Sequence, residues 1–136
     1  TDIKHPLHHN QIKRKMYLNS MFVNPTVVFK TSILETVPEY PEVYRYAAQD
    51  YAFFFKVIKH FKCANMPEVL LDYLIDSDSI STKKRKLQVA NRIKIIIDNF
   101  RFGFYPFYGL IRNSILYFFS RSSTTSIKKK LKQDEF

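Results

Sequence analysis

The sequence predicts an α/β domain, a small sheet packed with helices and followed by a C-terminal amphipathic helix, because strand-like and helix-like patterns alternate along it. Residues 26–30 (Thr-Val-Val-Phe-Lys) and 69–75 (Val-Leu-Leu-Asp-Tyr-Leu-Ile) carry the strand signal, being rich in β-branched and aromatic side chains. Between and after them, Tyr51, Phe54, Phe55 and Ile58, and then Val89, Ile93, Ile96 and Phe100, recur at helical spacing. With 46% hydrophobic and 16% aromatic residues in 136, the chain is long enough for one core and too apolar to be disordered.

The first twenty residues place His5, His8 and His9 in a loop beside Pro6, followed by a short helix whose apolar face is Ile12, Met16, Tyr17 and Leu18. No carboxylate is spaced to turn the three histidines into a metal site, so they read as surface residues. The N-terminus is polar, with no apolar signal core, as expected of a piece of a longer, cytosol-facing protein. Pro25 gives the first strand an extended entry. Residues 35–46 carry Pro38 and Pro41 among Tyr40, Tyr44 and Tyr46, which suits a loop over a site better than a regular element.

From Gln49 the period becomes helical, with Gln49, Lys56, Lys59 and His60 on the arc opposite the aromatic residues. Asp50 falls in the first turn, where unpaired backbone N–H groups and the macrodipole favour a carboxylate by about 0.3–1 kcal/mol. Position alone therefore does not separate a helix-terminal carboxylate from a catalytic one. Pro67 breaks the chain before the second strand, and Ser81 or Thr82 offers an N-cap for the next helix, whose first turn holds Lys83, Lys84, Arg85 and Lys86. Gly103 and Pro106 mark a boundary. Residues 107–119 are apolar around most of the helical wheel, with a narrow polar arc of Gly109, Arg112, Asn113 and Ser120. That stretch is shorter than the roughly 20 apolar residues of a membrane span. It reads instead as an interfacial helix, or as a helix covering the flank of a preceding half. Lys128, Lys129, Lys130 and Lys132 in the tail would each add about 1 kcal/mol of attraction to an anionic leaflet. The expected division is thus 1–101, 102–120 and 121–136.

The net charge of +10 falls largely into three short basic runs at element ends, a distribution that favours solvated termini or an anionic membrane surface over nucleic acid. A single cysteine, Cys63, excludes a disulfide framework and reads as a small apolar residue.

Four pieces stand in a telling order: Asn24-Pro25-Thr26-Val27-Val28-Phe29-Lys30, Gln49-Asp50-Tyr51, Asn65-Met66-Pro67-Glu68-Val69-Leu70 and Ser79-Ile80-Ser81. Their order and spacing resemble the acceptor-binding half of family 2 glycosyltransferases of the GT-A fold, in which a Glu-Asp-Tyr segment carries the catalytic base. The resemblance implies an inverting transfer from a nucleotide-sugar donor to a glycan or lipid-linked acceptor, in cell-surface polysaccharide or glycan synthesis. Asp50 would be the general base, Gln49, Tyr40, Tyr44 and Tyr46 would contact the acceptor, and Asp76 would ligate a divalent cation, Mg or Mn, in the intact enzyme. The implied location is cytoplasmic, peripheral on the cytoplasmic face of the membrane. Gln49 stands where the family has Glu, and Leu74 and Asp76 stand where it often has Arg and His. The nucleotide-binding half with its Asp-x-Asp motif has no counterpart before Asn24, and Asp76-Ser77-Asp78 lies after the base, in the wrong place for it. The isolated chain is therefore expected to be inactive and to bind no metal alone. Two other classes compete: a noncatalytic acceptor-binding or scaffold module with Asp50 as a helix cap, and a basic membrane-surface or nucleic-acid binding domain.

Overall fold

The structure, a computed structural model, describes residues 4–72 and 83–119. Helix α1 (His9–Lys15) leads through a 3-10 turn (Asn24–Thr26) to the short α2 (Ile33–Thr36) and a second 3-10 turn (Glu42–Tyr44). Three longer helices follow: α3 (Gln49–His60), α4 (Arg85–Asp98) and α5 (Phe104–Phe118).

Helix α3 is the centre of the core because its sequence is apolar on more than one face. Tyr51, Ala52, Phe53, Phe54, Phe55, Val57 and Ile58 are all buried, while Lys56, Lys59 and His60 face out. Ile12 and Met16 from α1 and the first residues beyond it, and Ile95 and Ile96 from α4, close over these side chains. The Tyr17 ring meets Phe55 edge-on at 5.1 Å, and the buried Tyr51 hydroxyl donates to the Met16 carbonyl oxygen. Burying each such side chain contributes about 1.5–3 kcal/mol, so α3 holds the fold through packing far more than through its terminal charges.

The expectation of an α/β fold with a small sheet is overturned: no strand occurs among the described residues, and the architecture is helical. A β-branched run becomes a strand only by finding a ladder partner, and neither candidate finds one among the described residues. At residues 24–27 the backbone bonds locally instead, Thr26 N–H donating to Val23 O and Val27 N–H to Asn24 O, with Pro25 at the start of the 3-10 turn. Val28 beyond it is 94% exposed. Residues 69–72 are likewise exposed and without regular structure, and residues 73–75 of that candidate fall outside the described residues.

Helices α4 and α5 pack along each other as an antiparallel pair, tied where Arg85 Nη1 donates to the Phe119 carbonyl at 3.1 Å. Helix α5 is built inside out. Its polar arc faces the protein: Gly109 and Asn113 are buried, and Arg112 Nη1 donates to the Leu18 carbonyl at 2.7 Å. Gly109 is required there, since a Cβ would overlap the Tyr17 carbonyl. The apolar arc points away, leaving Phe104, Phe107, Ile111, Ile115 and Phe118 exposed.

Candidate functional site

Helix α3 is entered through Ala48, which adopts the left-handed conformation (φ 65, ψ 24) that costs a non-glycine residue about 1–2 kcal/mol. Two polar contacts hold the strained entry. Asn91 Nδ2 of α4 donates to the Ala47 carbonyl at 2.8 Å, and Gln49 Nε2 reaches the Pro41 carbonyl at 3.5 Å. The Ala48 carbonyl then accepts from Ala52 N–H, opening the helix. Strain maintained by surrounding contacts is characteristic of sites where a side chain must be aimed.

The side chain so aimed is Asp50. It is half-buried at the head of a helix whose next five residues are all buried, and its Oδ1 accepts the Tyr51 N–H at 2.8 Å. No described side chain caps α3, and Asp50 makes no ion pair among the described residues. On α4, burial lowers the Arg92 pKa, while Tyr51 and, to a lesser degree, Asp50 act in the opposite direction. The head of α3 thus carries one half-buried carboxylate, with the Arg92 guanidinium within electrostatic range, while the Tyr51 phenol, its pKa raised by burial, points to the Met16 carbonyl.

The three tyrosines take different positions. Tyr40 stacks on Phe53 with centroids 4.3 Å apart and remains partly exposed, so one ring face is used and the edge is open. Tyr44 is buried, and its hydroxyl donates to Asp98 Oδ2 at 3.1 Å; burial and Asp98 together raise its pKa to about 12. Tyr46 is 66% exposed, with Lys84 Nζ 4.9 Å from its ring centroid. Asp76, Leu74 and the segment Ser79-Ile80-Ser81 lie outside the described residues.

Asn65, the first residue of the Asn-x-Pro-Glu piece, has a structural task. Its amide donates to the carbonyls of Pro6 at 2.8 Å and Met21 at 3.0 Å, clamping the N-terminal segment. His9 Nδ1 accepts the Cys63 N–H at 3.3 Å, and Cys63 is half-buried with its thiol pKa raised by burial. Among the described residues no group of three His, Cys, Asp or Glu side chains gathers to hold a metal ion.

Arg92, Asn91 and Ala48 escaped the sequence reading. Gln88, Asn91, Arg92 and Ile95 share one face of α4 at helical spacing, and polar members of a face that also carries a core isoleucine are the signal available.

No protein-family model matches the chain, and neither does any curated protein or solved structure. No helix among the described residues is long and apolar enough to cross a membrane.

Proposed function

We propose that the chain is the acceptor-side portion of an inverting glycosyltransferase in which Asp50 is the general base. The observation that supports this most is the held entry to α3, which presents one partly exposed carboxylate at the head of a buried helix. In the reaction, the acceptor oxygen bonds to the anomeric carbon as the bond from that carbon to the nucleoside diphosphate breaks. The hydroxyl proton passes to Asp50, and the diphosphate leaves with the bonding electron pair. Tyr40 and Tyr46 retain exposed ring area for the acceptor, whereas Tyr44 serves the core. Gln49 braces the entry loop. The divalent cation expected of the intact enzyme finds no set of ligands among the described residues, and the roles given to Asp50, Tyr40 and Tyr46 do not depend on it.

The test is Asp50→Asn in the intact enzyme. The amide keeps the size of the side chain and an oxygen to accept the Tyr51 N–H, so helicity should be retained while turnover falls by roughly 100-fold or more. Near-normal turnover would reduce Asp50 to a helix-terminal residue.

A second reading is supported by α5. Phe104, Phe107, Ile111, Ile115 and Phe118 form an outward stripe with exposures of 73, 50, 59, 40 and 80%. The contact between Arg85 and Phe119 sets the basic start of α4 beside the end of that stripe. An apolar face edged by cations suits the interface of an anionic membrane, where the helix lies in the plane of the surface. In vesicle flotation, a Phe104→Ser, Phe107→Ser, Ile111→Ser variant should lose binding, while added salt should weaken binding of the unaltered chain without abolishing it. Flotation of the triple variant equal to that of the unaltered chain would reject this reading.

A further inference from the structure

We propose that the cavity at the C-terminal end of α3 binds the phosphate head of a lipid that ends in a phosphomonoester. The proposal rests on the membrane reading of α5 and does not depend on the role of Asp50. Asp50 and Lys59 are nine positions apart on α3, about 14 Å along the helix axis, so this is a different place from the candidate base.

The cavity has a volume of about 560 Å³ and lies between α1, the end of α3 and the connection into α5. Lys13 and Arg14 line it from α1, Lys59 from α3 and Arg101 from the connection; among the described residues no carboxylate lines it. None of these four cations is in an ion pair among the described residues. Burial lowers the Lys59 pKa, and Arg101 across the cavity and Lys56 on α3 lower it further. Four like charges around one cavity, with no carboxylate among the described residues that line it, are relieved by a ligand carrying more than a single negative charge. A phosphomonoester carries about −1.5 to −2 at neutral pH and three acceptor oxygens, whereas a phosphodiester carries only one charge.

The apolar part of the wall indicates where the rest of the ligand lies. Phe102 and Phe104 line the same cavity and are 92% and 73% exposed, and Phe104 begins the outward stripe of α5. A headgroup in the cavity therefore has its tails directed along the surface that faces the bilayer in the membrane reading. A soluble phosphate ester would gain nothing from this continuity.

The experiment compares flotation of the whole chain on phosphatidylcholine vesicles containing phosphatidic acid or phosphatidylglycerol, matched for surface charge. The unaltered chain should prefer phosphatidic acid by roughly tenfold, as expected for added charge-assisted hydrogen bonds. Lys59→Gln with Arg101→Gln should remove that preference while binding to phosphatidylglycerol vesicles persists. Lys30→Gln with Lys62→Gln removes the same net charge from exposed positions outside the cavity and should leave the preference intact. A preference retained by the cavity variant, or lost equally in the control, overturns the proposal. Glycerol 3-phosphate carries the head without the tails, and binding to it as tight as to phosphatidic acid vesicles overturns the lipid assignment. The α5 triple variant reports on binding to all anionic vesicles, and the cavity variant on headgroup preference alone, so the two readings can fail separately.

Discussion

At the residue scale, the left-handed Ala48 carries the site, because it sets the direction in which α3 leaves the preceding loop. Glycine would relieve about 1–2 kcal/mol of strain there and lose about 0.4–1 kcal/mol through its freer unfolded chain. Ala48→Gly should accordingly be neutral or slightly stabilising in urea denaturation. Ala48→Val, which adds β-branching at a positive φ in a buried position, should destabilise the fold by more than about 1 kcal/mol. Asp50 was legible in the sequence from its neighbours, since an acidic residue opening an aromatic helix is a local pattern. Arg92 was not, since its electrostatic coupling to Tyr51 and Asp50 depends on how α4 packs against the head of α3, and no local pattern encodes that packing.

At the scale of elements, α5 shows how far periodicity reaches. The sequence pattern leads to a helix with a narrow polar arc, the structure has one at Phe104–Phe118, and a wheel does not say which arc turns inward. The structure turns the polar arc in, because Gly109 allows close approach to the Tyr17 backbone and Arg112 finds the Leu18 carbonyl. Gly109→Ala should therefore cost about 1–3 kcal/mol by overpacking a contact that is mostly backbone and yields little. Ser114→Ala, one turn further along the same helix at a half-buried position, should stay within about 0.5–1 kcal/mol of the unaltered chain. Equal denaturation midpoints for the two variants would show that α5 can shift away from Tyr17 without loss. The helix from Gln49 was legible in more detail, and Tyr51, Phe54, Phe55 and Ile58 are buried as the spacing indicates. Phe53 and Val57, off that stripe, are buried as well, since neighbouring elements cover more than one face of α3.

At the scale of the whole molecule, the buried phenols tie stability to alkaline pH. Tyr44 has its pKa raised from 10.0 to about 12 by burial and by Asp98, and burial raises that of Tyr51 too. Between those values the unfolded chain has released the Tyr44 proton and the folded chain still holds it, so stability falls as pH rises. Denaturation midpoints should be flat with respect to these groups below about pH 10 and decline above it. Tyr44→Phe should remove part of that decline, at the cost of the hydrogen bond to Asp98. A Tyr44→Phe variant with the same alkaline slope as the unaltered chain would place the titration elsewhere.

Sequence alone determined the local choices: where apolar periodicity runs at 3.6 residues, where proline interrupts it, and which carboxylate heads the most aromatic helix. These depend on neighbours a few positions apart, whose geometry a helix fixes. Tertiary structure decided the rest. Residues 26–30 and 69–72 carry strand-like composition, and a strand exists only as one side of a ladder, so without partners among the described residues they remain turn and irregular chain. The inward polar arc of α5, the electrostatic coupling of Arg92 to Tyr51 and Asp50, and the convergence of Lys13, Arg14, Lys59 and Arg101 on one cavity arise in the same way. Each joins residues distant in the chain, and the relation between them is set by packing rather than by spacing.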